Sequence, residues 1–232
     1  MATLRRVLRS VLVAIPVIIA SPVLVLAIQG YMFLPVGLFF AIYSPWSPFV
    51  RFPQTKWLVT HTIWMSRELR TNLFHTGWVL IGIGLVIFLG SYIYFYSIKY
   101  SIFTKNRIGL VKTGPYSVVR HPQYLGIFMG LTGFVCVGIR PIAVLAWITA
   151  ACTYTALMVY EESENERRFG TEWREWQQRT PFIIPFFPRA LTRPFSRVFA
   201  LPKPAQYLGL AALYVILIAT AISLLRDRSF PT

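Results

Sequence analysis

Long uncharged runs alternate with basic connectors along this chain. The clearest run, Gly77–Ile98, holds 22 residues without a charge, about what an α-helix needs to cross a hydrocarbon core. Leu125–Gly138 and Ile142–Tyr160 are separated only by Ile139-Arg140-Pro141. That spacing predicts a tight hairpin of two spans, over 123–139 and 141–160. Tyr207–Leu225 predicts a last span, at 206–225. Val11–Ile28 follows Arg5, Arg6 and Arg9 and contains Pro16 and Pro22. It is long for a signal sequence and lacks an Ala-x-Ala cleavage pattern, so it reads as a retained anchor over 10–28. The run YMFLPVGLFFAIY at 31–43 is only half a span: re-entrant, interfacial, or an extension of a tilted first hairpin. Between 44 and 76, Pro45, Pro48 and Pro53 break the first half, while Trp57, Trp64, Arg67 and Arg70 mark the second. Tryptophans suit the headgroup region, so a surface-lying helix is expected over 56–74.

The pattern predicts an all-α, polytopic transmembrane bundle of about five spans. An N-terminal membrane region occupies 1–98, a core 99–188, and a basic interfacial segment with the last span 189–232. Composition agrees: of 232 residues, 56% are hydrophobic and 13% charged, against about 25% charged in soluble domains. The net charge of +15 sits mostly in the connectors, where it sets orientation and meets anionic lipid. No basic stripe stands apart from the spans, so nucleic acid is not expected as a partner. Cys136 and Cys152 lie inside apolar runs, and His61, His75 and His121 are scattered; no metal site is expected.

Two polar segments concentrate the candidate chemistry. Asn106–Tyr124 reads NRIGLVKTGPYSVVRHPQY, and Glu161, Glu162, Glu164 and Glu166 put four of the chain's eight acids within six positions. A hairpin returns its outer ends to one membrane face, so Arg120–Tyr124 and Tyr160–Glu166 become neighbours in space. Gly170 reads as a helix stop, with Thr171 capping a short helix that carries Trp173 and Trp176. Beyond Pro181, Pro185 and Pro188, the residues Arg189, Arg193 and Arg197 read as a basic face on the membrane surface. The connector 99–122 has five basic residues and 161–205 has eight, so both clusters are expected on the cytoplasmic side. The connector 44–76, with four basic residues, then falls on the opposite side, against that rule.

By residue type, a carboxylate pair with aromatic walls suits a cation. Arg120, His121 and backbone N–H groups suit an anion or an adenine edge. The same residues also fit a helix leaving the membrane, with Arg120 snorkelling and Tyr116 and Tyr124 as interface anchors.

The text LVKTGPYSVVRHPQYLG, followed after the hairpin by EESENERRFGTEWREWQQRTPFIIP, resembles the isoprenylcysteine carboxyl methyltransferase family and the related phospholipid N-methyltransferases. The resemblance covers roughly residues 101–185. It rests on ordered elements: Leu-Val-x-x-Gly-x-Tyr, Arg-His-Pro-x-Tyr-x-Gly, Glu-Glu, Phe-Gly, an aromatic pair and a late Pro. It implies an integral-membrane enzyme using S-adenosylmethionine in a cytoplasmic pocket, with a lipophilic or membrane-partitioned acceptor such as an isoprenylcysteine carboxylate, a phospholipid amine or a small thiol. Carried over by position, Ile108, Gly109, Leu110 and Val111 would line the adenosine and Tyr116 would pack on the cofactor. His121, Pro122, Gln123 and Tyr124 would form its cradle, and Glu161 would bind it from across the hairpin. Glu161, Glu162 and His121 are the candidate catalytic groups, with Arg120 and Phe169 just outside the cradle.

One position departs from the family. Where the isoprenylcysteine enzymes carry an arginine one turn before the paired glutamates, this chain has Leu157, and an unpaired carboxylate at membrane depth is costly. The implied reaction is in-line displacement at a sulfonium methyl, which requires positioning and exclusion of water. An amine acceptor would need Glu162 or His121 to take its proton. The alternative is a non-catalytic scaffold or small transporter retaining the fold. A transporter predicts ionisable residues along a path through the spans, and those between Gly77 and Tyr160 carry none outside the hairpin tip.

Overall fold

A computed structural model describes residues 32–44, 47–103, 109–185 and 202–231. The anchor expected over 10–28, the basic face at Arg189–Arg197 and Ile108 lie outside the described residues. In chain order the elements are α1 (Met32–Tyr43), a 3-10 turn (Pro48–Val50), α2 (Pro53–Thr60) and β1 (His61–Ile63). Then come α3 (Arg67–Phe103), α4 (Pro115–Val118), α5 (Pro122–Gly138) and α6 (Pro141–Phe169). The chain continues with α7 (Thr171–Arg179), α8 (Lys203–Arg226) and β2 (Ser229–Pro231). Prolines punctuate it: Pro53, Pro115, Pro122, Pro141 and Pro204 sit in first turns, where a missing N–H costs nothing and φ is already helical.

The result is an all-α membrane bundle. Helices α3, α6 and α8 are each long and apolar enough to cross a bilayer, and α5, at 17 residues, is shorter. The most hydrophobic stretch of α8 buries none of its residues and that of α3 buries 11%. Their outer faces, with Val86, Leu208 and Val215 exposed, are therefore built to meet lipid.

Two expectations are corrected. The surface helix over 56–74 does not form as one piece. Helix α2 stops at Thr60, because His61, Thr62 and Ile63 pair antiparallel with residues 229–231, as β-branched residues favour. A new helix then starts at Arg67, its first turn capped by Ser66 Oγ accepting from the Leu69 amide at 3.2 Å. Nothing interrupts it before the expected span, so both become one 37-residue helix, about 56 Å long. Thr171 likewise does not cap α7. Gly170, at φ +53°, ends α6 and itself occupies the N-cap of α7, leaving Thr171 as its first residue with no capping bond.

The half-span run forms α1, which packs one face against α5 and α6 and leaves Leu34, Leu38 and Phe40 exposed. Met32 and Phe39 are buried with Tyr124, Leu131, Ala146, Ala150, Tyr154 and Met158 of α5 and α6. The Tyr154 hydroxyl donates to the Met32 carbonyl at 2.9 Å, while Tyr43 lies against Gly138 at the hairpin tip. Helices α3 and α5 approach closely through glycines: Gly77 faces Gly133 and Gly84 faces Gly126. A Cβ on Gly84 would lie 2.5 Å from the Gly126 carbonyl oxygen, so only glycine lets the backbones approach this far.

The hairpin tip and the β1–β2 ladder share one end, because the Ile63 amide donates to the Ile139 carbonyl at 3.0 Å. Helices α3, α5 and α6 carry the chain from there to the other end, where both polar clusters meet.

Candidate functional site

The site begins with the connector between α3 and α5. Gly114 adopts φ +59°, and a Cβ there would fall 2.4 Å from the Tyr94 ring, so glycine is required by conformation and by space. Tyr94 props the turn, its hydroxyl donating to Thr113 Oγ1 at 2.8 Å. Tyr116 follows, buried with Val111, Trp173 and Trp176 and flanked by Leu110, Phe169 and Phe95. Burial, then the Glu161 carboxylate, then Tyr96 push its phenol far above the usual range, so it stays neutral. Gly109, by contrast, is exposed.

Arg120 and His121 pair by backbone with the segment after α7. The Arg120 amide donates to the Pro181 carbonyl at 2.9 Å and the His121 amide to that of Phe182 at 3.2 Å. Pro122 then opens α5 and buries Gln123 and Tyr124 in its first turn. The Tyr124 hydroxyl donates to Glu161 Oε1 at 2.6 Å.

Glu161 and Glu162 are adjacent on α6 and so point about 100° apart. Glu161 keeps its side chain 25% exposed, and its Oε2 lies 3.8 Å from His121 Nδ1. Glu162 turns inward, its side chain 6% exposed. Its Oε1 accepts from Arg120 Nε at 2.5 Å and lies 3.3 Å from His121 Nε2. Its Oε2 accepts from Gln177 Nε2 at 2.9 Å. One guanidinium nitrogen of Arg120 also donates to the Gln177 and Thr180 carbonyls at 2.9 and 2.7 Å, capping the C-terminus of α7, where such oxygens otherwise lack partners. The Phe182 ring covers both residues, 5.4 Å from the Arg120 guanidinium and 5.0 Å from the His121 ring.

The structure thus brings together Tyr116, Arg120, His121, Gln123, Tyr124, Glu161 and Glu162. Val111, Leu110 and Phe169 wall the neighbouring aromatic cluster. Gln177, Thr180 and Phe182 complete the arrangement and were not singled out from the sequence. Two act mainly through backbone carbonyls or a side-chain amide, which carry no motif. Three donors here are buried with no partner, Gln123 Nε2 and the indole nitrogens of Trp173 and Trp176, each at a cost of about 1–3 kcal/mol. Leu157, one turn before Glu161, packs against the apolar cluster of Tyr124, Tyr154 and Met158.

Comparison with known proteins falls on this same region. Residues 73–172 match the phospholipid methyltransferase family. The match includes α3 from its second turn, the connector, the hairpin and the paired glutamates. Protein-S-isoprenylcysteine O-methyltransferase B of Arabidopsis thaliana is 32% identical over 78 residues, 33% of this chain and 40% of that protein. The nickel-cobalt-cadmium resistance protein NccN of Alcaligenes xylosoxydans xylosoxydans is 39% identical over 82 residues, 34% of this chain and 36% of that protein. The matched stretch therefore spans well under half the length of either relative. No solved structure matches the chain. The family match and the Arabidopsis relative support the resemblance read from the motifs, to membrane methyltransferases of the isoprenylcysteine and phospholipid type.

Proposed function

We propose that this protein is an S-adenosylmethionine-dependent methyltransferase acting on a lipophilic or membrane-partitioned acceptor, with its site on the cytoplasmic side. The observation carrying this reading is the convergence of His121 and Tyr124 with Glu161, from opposite ends of a transmembrane hairpin, within the methyltransferase match. The residues fit such a cofactor. Glu161 offers a partly exposed carboxylate to a cationic group, Gln123 Nε2 is a buried donor with no other partner, and Tyr116 adds a neutral aromatic wall. Gly109–Val111 would contribute backbone groups, and Ile108 belongs to the same stretch.

Glu161, Gln123 and Tyr116 would hold S-adenosylmethionine, whose sulfonium would supply a methyl for in-line transfer to the acceptor's lone pair, with a neutral thioether as the leaving group. The protein's part is to hold and to shield. Tyr124 fixes Glu161 through the 2.6 Å bond, and Phe182 covers His121 against water. Glu162 has both oxygens engaged by Arg120, His121 and Gln177, so it serves as an anchor. His121, between the two carboxylates, is the residue to receive a proton from an amine acceptor. Leu157 disfavours an acceptor that presents a carboxylate at that depth.

Calorimetric titration of the detergent-purified chain with S-adenosylhomocysteine tests the reading. Saturable heat is expected, with His121→Ala and Glu161→Ala each weakening binding by about 10- to 100-fold, the worth of a charged hydrogen bond. Absence of heat, or variants that bind as well as the parent, would overturn it.

A further inference from the structure

The end of the bundle opposite the candidate site carries a second feature. A cleft of about 380 Å³ opens between the start of α3 and the hairpin tip, lined by Thr62, Arg70, Phe74, Val137 and Ile139 among others. Its walls are of two kinds. Phe74, Val137 and Ile139 are apolar, whereas Arg70 is exposed and makes no ion pair among the described residues.

Two further observations mark the place as built rather than incidental. The Thr62 hydroxyl is buried without a hydrogen-bond partner, in a protein whose other polar groups are mostly paired. Ile139 sits in the left-handed region, at φ 48° and ψ 34°, where a β-branched side chain is strained and glycine would not be. The strained turn holds an isoleucine that is 7% exposed and forms a wall of the cleft.

This end also explains an anomaly of charge. Arg51, Lys56, Arg67, Arg70, Arg140, Arg226 and Arg228 all lie on it, against Glu68 and Asp227. Orientation alone places such residues at the other end. Among them Arg70 stands beside the apolar walls of the cleft.

We propose that this cleft binds the phosphate headgroup of a membrane phospholipid. The Arg70 guanidinium and the Thr62 hydroxyl donate to the phosphate oxygens, and an acyl chain lies along Phe74, Val137 and Ile139. A fork of N–H donors suits phosphate, and the apolar walls select a phosphate carried on hydrocarbon over the free ion.

The full-length protein in non-ionic detergent is titrated with dihexanoylphosphatidylglycerol, with dihexanoylglycerol of the same chains but no phosphate, and with inorganic phosphate. Saturable binding is expected for the phospholipid alone. Arg70→Gln should weaken it by about tenfold or more, as loss of a charged hydrogen bond does. Thr62→Val, nearly the same shape, should weaken it several-fold, and Arg67→Gln, outside the cleft, should leave it unchanged. Equal binding by the parent and both cleft variants overturns the proposal. So does an equal loss in Arg67→Gln, which would mean diffuse attraction. Binding of the diglyceride as tight as the phospholipid, or of inorganic phosphate as tight, overturns it too, since the cleft would then read only the chain or only the free ion.

Discussion

Arg120 meets acceptors on two helices at once: Glu162 of α6, and the Gln177 and Thr180 carbonyls at the end of α7. Its side chain is 8% exposed and that of Glu162 is 6%, so neither charge has water to fall back on. Removing one partner of a buried pair is more damaging than removing both. Arg120→Leu should lower stability by about 3–5 kcal/mol in denaturant unfolding in detergent. Adding Glu162→Leu should restore part of that loss; a double variant as unstable as the sum of the two singles would show that the pair is not coupled. At this scale the motif made His121, Tyr124, Glu161 and Glu162 legible. It did not reveal how the adjacent glutamates divide, one half-open and one closed. That division depends on which way a helix turn faces, and on carbonyl oxygens of α7 that have no side-chain signature.

Among the elements, α3 and α5 decide the geometry of the site, because α5 carries His121 to Tyr124 at its first turn. Their contact depends on Gly77, Gly84, Gly126 and Gly133, small residues within uncharged runs that carry no charge or proline signal. Gly84→Ala should destabilise by about 1–3 kcal/mol through overpacking, since the new Cβ meets the Gly126 backbone. Gly90→Ala, with nothing within 4 Å, should be neutral or slightly stabilising. Unfolding midpoints of the two variants in the same detergent check this, and equal midpoints would remove the close-approach argument. The later spans and the hairpin, from Gly77 onward, were legible because uncharged runs and prolines act on near neighbours. The split of 56–74 was not, since it depends on pairing of His61–Ile63 with Ser229–Pro231 at the far end of the chain.

For the whole molecule, the ladder at the hairpin tip and the cluster around Glu162 lie at opposite ends of the bundle. With Cys136 and Cys152 replaced by alanine, single cysteines at Arg140→Cys and Arg167→Cys should react with an impermeant maleimide from opposite sides of sealed vesicles. Labelling from the same side would break the hairpin topology, and with it the two-ended arrangement of site and cleft.

The residues in order were enough to determine a membrane bundle, a tight hairpin and two polar clusters brought to one face. Each follows from hydrophobic run length and from Pro and Gly punctuation, which are local properties. The structure alone decided that one face of α1 joins the core, that Arg120 joins α6 to the end of α7, and that Thr62, Arg70 and Ile139 share a cleft. Those contacts join residues tens to more than a hundred positions apart. They depend on how closely backbones approach and which way side chains turn, and neither is written in any one stretch of the chain.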